Sequence, residues 1–225
     1  MEIAAGIYYF IGSLVCHQIP QRTIYINGLL LPVCARDTGI YAGMFISFLF
    51  CLIRKRMDSD KPPQPGISII LALLMIPLMA DGISTYMLLR QTDNVTRLIT
   101  GLFFGMPIPL FLVPAANFKI YAVNSKNVVK NWSELVLLIS INILACVLII
   151  NAVVPWFLVS TVFIISLVAI IGRLVFTLLK RAGILKQKIW FLQVASATLI
   201  IFCFMFLISN YLIEPLRNLI ILLLF

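Results

Sequence analysis

Apolar residues in this chain come in long unbroken runs, separated by short polar connections. A helix needs about 20 apolar residues to cross a hydrocarbon core about 30 Å thick. That ruler predicts six spans, roughly at 33–53, 67–89, 95–116, 134–152, 156–179 and 189–213. The N-terminal run IAAGIYYFIGSLV would reach only about 20 Å as a helix, so it is expected to lie in the interface or to re-enter. It has neither the basic leading region nor the small-residue cleavage site of a signal peptide and is read as part of the mature chain. The closing NLIILLLF is too short to span unless it continues the sixth helix past Pro215, which would kink it. Only if these two runs cross does the count rise to seven or eight.

The expected fold is therefore all-α, a polytopic transmembrane helical bundle of about six spans with a short N-terminal interfacial or re-entrant segment. Composition changes the picture only by excluding alternatives. With 62% hydrophobic and 11% charged residues, too little polar surface exists to cover a water-soluble domain. The net charge of +9 does not indicate nucleic acid, because the basic residues sit in clusters between apolar runs, where they set membrane orientation.

Arg54, Lys55, Arg56, Lys61, Lys119, Lys126, Lys130, Lys180, Arg181, Lys186 and Lys188 follow the odd spans, against Arg22, Arg36, Arg90, Arg97 and Arg217 on the other side. The odd loops are thus expected to be cytoplasmic, with Arg173 snorkelling from the fifth span, and residues 16–38 to face outward. We expect one integral membrane domain over 1–225: an outward-facing segment 1–32, motif-bearing helices 33–116, and three further apolar spans in 117–225. No segment has the length of a soluble domain, and no Gly-rich nucleotide loop or internal repeat is present.

Candidate chemistry gathers at the outward end. CHQIPQR places the only histidine, His17, between Cys16 and Arg22, and PVCARDTGIYAG follows at 32–43. If the first spanning helix begins near Pro32, Cys34 and Asp37 lie three apart on one face, with Tyr41 continuing it. Thiolate, imidazole and carboxylate are all zinc ligands, although neighbouring Cys16 and His17 share one metal only with a particular backbone bend. The spacing leaves other readings open: a Cys16–Cys34 disulfide, a hydrogen-bonding histidine, and arginines that anchor at headgroups. Cys51, Cys146 and Cys203 fall inside apolar spans and read as packed small residues.

A second group lies in MADGISTYMLLRQTDNVTRLITG. Asp81 sits inside the second span, where a carboxylate costs about 2.5–3.5 kcal/mol unless protonated or paired. Pro77 frees a backbone carbonyl nearby, and Ser84 and Thr85 carry the polar side outward toward Arg90, Asn94 and Arg97. One reading is an internal network, with Asp81 neutralised by Arg97 or Arg36, Asp93 or Asn94 capping the third span, and Thr100, Gly101 and Gly105 allowing close helix contact. The other starts from Arg22, Arg36, Arg90 and Arg97 outnumbering Asp37, Asp81 and Asp93, and points to an anionic lipid headgroup.

CHQIPQRT, LPVCARDTGIYAG and DG with the later NVTRLITG resemble the pattern of a prokaryotic membrane family, domain of unknown function 2085, over residues 16–105. Its pattern reads C-H-Q-x-P-x-R-S/T, then C-A-R-C-T-G-I-Y, then D-G with N-x-x-R-x-x-T-G. Asp37 stands where the family usually has the second cysteine of a C-x-x-C pair. That departure disfavours redox chemistry between positions 34 and 37, while a zinc site and a Cys16–Cys34 disulfide would both survive. The family's cysteines and histidine imply zinc held by some of Cys16, His17, Cys34 and Asp37.

The functional expectation is a membrane-embedded metal-dependent enzyme. Asp81 would be its general base, and Arg22, Arg36, Arg90, Asn94 and Arg97 would hold an anionic lipid-linked ligand. The alternative is a transporter or lipid-binding protein with a structural metal or disulfide; a scaffold in a larger complex is a third reading. The expected partner is membrane lipid, not nucleic acid, and the oligomeric state is left open.

Overall fold

The computed structural model describes residues 2–87, 91–121, 123–186, 188–209 and 211. The expectations for Arg90, Pro215, Arg217 and the closing apolar run lie outside the described residues. Among the described residues six helices, or helix pairs in line, are long and apolar enough to cross a membrane. The chain is an all-α polytopic bundle.

The N-terminal run forms α1 (Glu2–Ser13), at 12 residues too short for a full crossing. A 3-10 turn at Pro20–Arg22 follows, then a hairpin of β1 (Tyr25–Ile26) and β2 (Leu29–Leu30). Asn27 and Gly28 between the strands have φ of 52° and 79°, the left-handed pair that a two-residue turn requires. Next come α2 (Ala35–Ile53), α3 (Pro65–Tyr86), α4 (Asn94–Gly105) and α5 (Pro107–Asn117). The last three are α6 (Trp132–Ile150), α7 (Trp156–Arg181) and α8 (Trp190–Ile208).

Two expectations are adjusted. The third span is broken into α4 and α5, because Pro107 has no N–H to continue the helical ladder; Ser47 donates to the Met106 carbonyl at the break, at 2.7 Å. The first span begins at Ala35 rather than near Pro32, with Cys34 as its N-cap residue. Asp93 takes the N-cap position of α4, one of the two residues expected there.

Helix α2 is the axis of the bundle, packed on α4 along its length and also touching α5, α6 and α7. Its contact with α4 is backbone against backbone through Gly39, Gly43, Gly101 and Gly105. Toward the motif end the core is Ile26, Leu31, Ala42, Leu98, Leu102, Trp156 and Val159. Toward the opposite end it is Phe48, Ile67, Leu71, Leu110, Val113 and Leu138. Cys51 and Cys146 are buried as expected, whereas Cys203 is exposed on the bundle surface.

Helix α1 and the hairpin brace the motif end. Tyr9 and the Trp156 indole both donate to the Leu30 carbonyl, at 2.6 and 2.7 Å. Gln18 donates to the carbonyls of Tyr9 and Pro32. These bonds fix the segment that carries Cys16 and His17 against the start of α2.

Candidate functional site

Cys34 ends the extended segment and begins α2, so its side chain stands at a helix N-terminus, with Asp37 three residues on in the first turn. The Cys34 thiol donates to an Asp37 carboxylate oxygen at 3.2 Å, and the Cys34 backbone N–H donates to the Cys16 sulfur at 3.3 Å. Ligand atoms of Cys16, Cys34 and Asp37 all lie within 4.8 Å of one another, and all three residues are half-buried. The two thiols are unbridged. Their hydrogen bond to each other draws Cys34 below the ordinary thiol range. The same contact, burial and the Asp37 charge push Cys16 far above it. The two thiols are thus split, Cys34 downward and Cys16 upward, the usual result when two acidic groups share one place.

A cavity of about 240 Å³ opens over this cluster, lined by Cys16, His17, Arg22, Cys34, Arg36, Asp37, Thr85 and Arg97 among others. His17 is exposed in its wall and stands outside the three-donor cluster. Arg36, on the first turn of α2, bonds Asp81 of α3 through a terminal nitrogen. Its Nε is buried without a protein partner. Of the two partners the sequence offered Asp81, Arg36 is the one in contact. The second Asp81 oxygen accepts from Thr92 at 2.5 Å, and the side chain is only 4% exposed. Thr85 donates to the Asp81 backbone carbonyl at 2.7 Å and shares a hydrogen bond with Thr92 at 3.1 Å.

Arg97 is 8% exposed and donates to Asn94 at 3.2 Å. Asn94 in turn donates to the carbonyls of Gln21 and Thr23, which holds the loop bearing Arg22 to the start of α4. Thr92 and Gln18 were absent from the sequence-derived set. Thr92 has no signal beyond its place in a polar connection. Gln18 sits inside the CHQ motif but acts through a backbone turn at φ 51° that spacing does not reveal.

Two thiols and a carboxylate suit zinc. The ligand-to-ligand edge of a tetrahedral site with Zn–S near 2.3 Å is about 3.7 Å, within the spread of these three donors. The helix N-terminus at Cys34 favours its thiolate, in the same direction as its lowered pKa.

A family model described as a predicted membrane protein, DUF2085, matches residues 16–111. An uncharacterized protein of Methanocaldococcus jannaschii is 36% identical over 106 residues, covering 47% of this chain and 66% of the relative. Another, of Methanothermobacter thermautotrophicus, is 38% identical over 93 residues, covering 41% of this chain and 78% of the relative. No solved structure matches. The cluster, Asp81, Arg97 and every cavity-lining residue except Val15 fall inside the matched residues, whereas α6, α7 and α8 fall outside them.

Proposed function

This chain belongs to the DUF2085 family of predicted membrane proteins, and on that premise we propose that its motif cavity is a zinc site of a membrane-embedded, metal-dependent enzyme. Its substrate would be an anionic lipid-linked molecule reached from the outer face. The observation that carries this reading is the convergence of Cys16, Cys34 and Asp37 in a cavity walled by Arg22, Arg36 and Arg97.

Three protein donors leave a fourth position open, as catalytic zinc requires, and zinc there would supply a Lewis acid and an activated water. The arginines would bind the anionic group, Arg36 with its unpartnered Nε foremost. Asp81, whose two oxygens are taken by Arg36 and Thr92, fits positioning of Arg36 better than proton transfer. That leaves His17, exposed in the cavity wall, as an acid–base group with free access.

A second reading, a lipid-binding protein or transporter braced by a structural metal, is favoured by His17 standing next to Cys16 in the same cavity. Were His17 to turn in as fourth ligand, the site would be closed.

Elemental analysis of detergent-purified protein tests both readings. Wild type should carry about one zinc per chain, lost in Cys34→Ser and Asp37→Ala. Retention of the metal in His17→Ala supports the open site, and its loss supports the closed one. A metal-free wild type with Cys16 and Cys34 oxidised would remove the zinc reading.

The positioning role of Asp81 has its own test. Arg36→Gln and Asp81→Asn should each weaken binding of a phosphate-bearing lipid about tenfold, the scale of one charge-assisted hydrogen bond. The double variant should lose little more, because the two residues act as one unit. Additive losses would show that Asp81 does not act through Arg36.

A further inference from the structure

At the end of the bundle opposite the motif, α2, α7 and α8 diverge around a cavity of about 480 Å³, within the range of small-molecule sites. Its walls are apolar, with Phe48 on α2, Phe176 on α7, and Trp190 and Phe191 on the first turn of α8. Two polar groups interrupt this lining. Ser166 is fully buried and its hydroxyl has no partner; Arg173, two turns further along α7, has a buried Nε that also has none. Their seven-residue separation spans about 10 Å of helix.

Arg173 is held through one terminal nitrogen, Nη2, which donates to the carbonyls of Met57 and Val113 at 3.1 and 2.8 Å. Among the described residues no carboxylate pairs with it, since the ion pairs present are Arg36–Asp81, Arg56–Glu134 and Lys126–Asp58. Its guanidinium lies 5.1 Å from the centre of the Phe176 ring, and the Lys180 ammonium lies 5.5 Å from the same ring. The groove thus has an apolar length that ends at Arg173; Lys180 lies beyond the lining, exposed and donating to Asn117 Oδ1 at 2.6 Å, and neither cation has a carboxylate partner among the described residues. Trp190 flanks the groove on α8, and Trp favours the level of lipid headgroups.

We infer that this groove binds one membrane lipid with an anionic phosphate headgroup, the headgroup on Arg173 and Lys180 and an acyl chain along the apolar wall toward Ser166. Charge complementarity identifies the occupant. An apolar helix from a second copy would cover Arg173 with no counter-charge, which is costly, whereas an anionic headgroup supplies one within reach of Lys180 as well and the chain fills the groove. The site shares no residue with the motif cavity and does not depend on zinc there.

Native mass spectrometry of the full chain, titrated with phosphatidylglycerol or phosphatidylcholine of identical chains, tests this. Wild type should retain one selective phosphatidylglycerol that persists in the Arg36→Gln background, and Arg173→Gln should lower that affinity about tenfold. Arg173 also holds two backbone carbonyls, so Gly172→Leu, which fills the groove and leaves Arg173 in place, is the second variant; it should abolish the bound lipid. Inorganic phosphate should not displace the lipid, and Arg36→Gln should leave it bound. Equal retention of the two lipids, unchanged binding in a folded Gly172→Leu, or a dimer that Gly172→Leu dissolves would each overturn the inference.

Discussion

Gly105→Leu should destroy the α2–α4 crossing and, with it, the motif cavity. A Cβ on Gly105 would stand 2.0 Å from the Ile40 carbonyl oxygen, and one on Gly101 2.3 Å from that of Arg36. From the other side, a Cβ on Gly39 would meet the Leu98 oxygen, and one on Gly43 the Leu102 oxygen, each at 2.3 Å. All four obstacles are backbone atoms in helices, which cannot swing aside as a side-chain tip does. Lipid is as apolar as leucine, so helices in a membrane gain little from burying apolar surface and depend on close packing of this kind.

Overpacking a tight core costs about 1–3 kcal/mol and occasionally more, and a clash with backbone belongs at the upper end. Loss of about 3 kcal/mol or more should appear as a large fall in melting temperature in detergent. On the proposed zinc site, metal content should fall with it, because Cys34, Arg36 and Asp37 ride on the start of α2 and Arg97 on the start of α4. Gly82 supplies the control: a Cβ there meets nothing within 4 Å, so Gly82→Ala should be neutral or gain up to about 1 kcal/mol from helix propensity. Wild-type melting of Gly105→Leu would show that the crossing has room to adjust.

Half of that crossing was legible in the sequence. Gly101 and Gly105 stand out as small residues four apart, but Gly39 and Gly43 as their partners do not follow from spacing, because sequence does not say which helices touch. The spans were legible for a simpler reason: apolar length alone sets them, and α2, α3, α6 and α7 begin and end within a few residues of expectation. The break at Pro107 was missed because hydropathy continues unchanged through it, although three prolines between 107 and 114 carried the signal. Asn27 and Gly28 carried a hairpin signal that was missed in the same way.

At the site, the i to i+3 spacing brought Cys34 and Asp37 together correctly, through a cap rather than through the body of a helix. Arg36 as the partner of Asp81 was one of two candidates; choosing between them required knowing that α2 and α3 both present their motif ends to the same cavity. The groove around Arg173 was not legible at all. Arg173 read as a residue reaching for the membrane surface, and only the fold shows that it turns toward Met57 and Val113.

Glu134→Ala should cost about 3–5 kcal/mol, the price of leaving one member of a buried ion pair alone. Arg56 and Glu134 are 6% and 9% exposed and meet in a two-pronged contact at 2.6 and 2.7 Å. Arg56 also donates to the Val128 carbonyl at 2.9 Å, and the Lys130 N–H donates to Glu134 at 2.8 Å. In the sequence Arg56 is one basic residue in a run of three, counted only for orientation. In the fold it ties the end of α2 to the 128–130 segment and to the start of α6.

Arg56→Lys should lose much of that stability too, because an ammonium cannot reproduce the planar fork. The double variant Arg56→Met with Glu134→Leu removes both charges and should melt within about 1–2 kcal/mol of wild type. That contrast separates an uncompensated charge from lost packing. If Glu134→Ala melts as wild type does, Arg56 has escaped to solvent. If it melts early, the consequence reaches the lipid groove: Met57 follows Arg56 directly, and its carbonyl helps to aim Arg173, so phosphatidylglycerol retention should fall in Glu134→Ala and recover in the double variant.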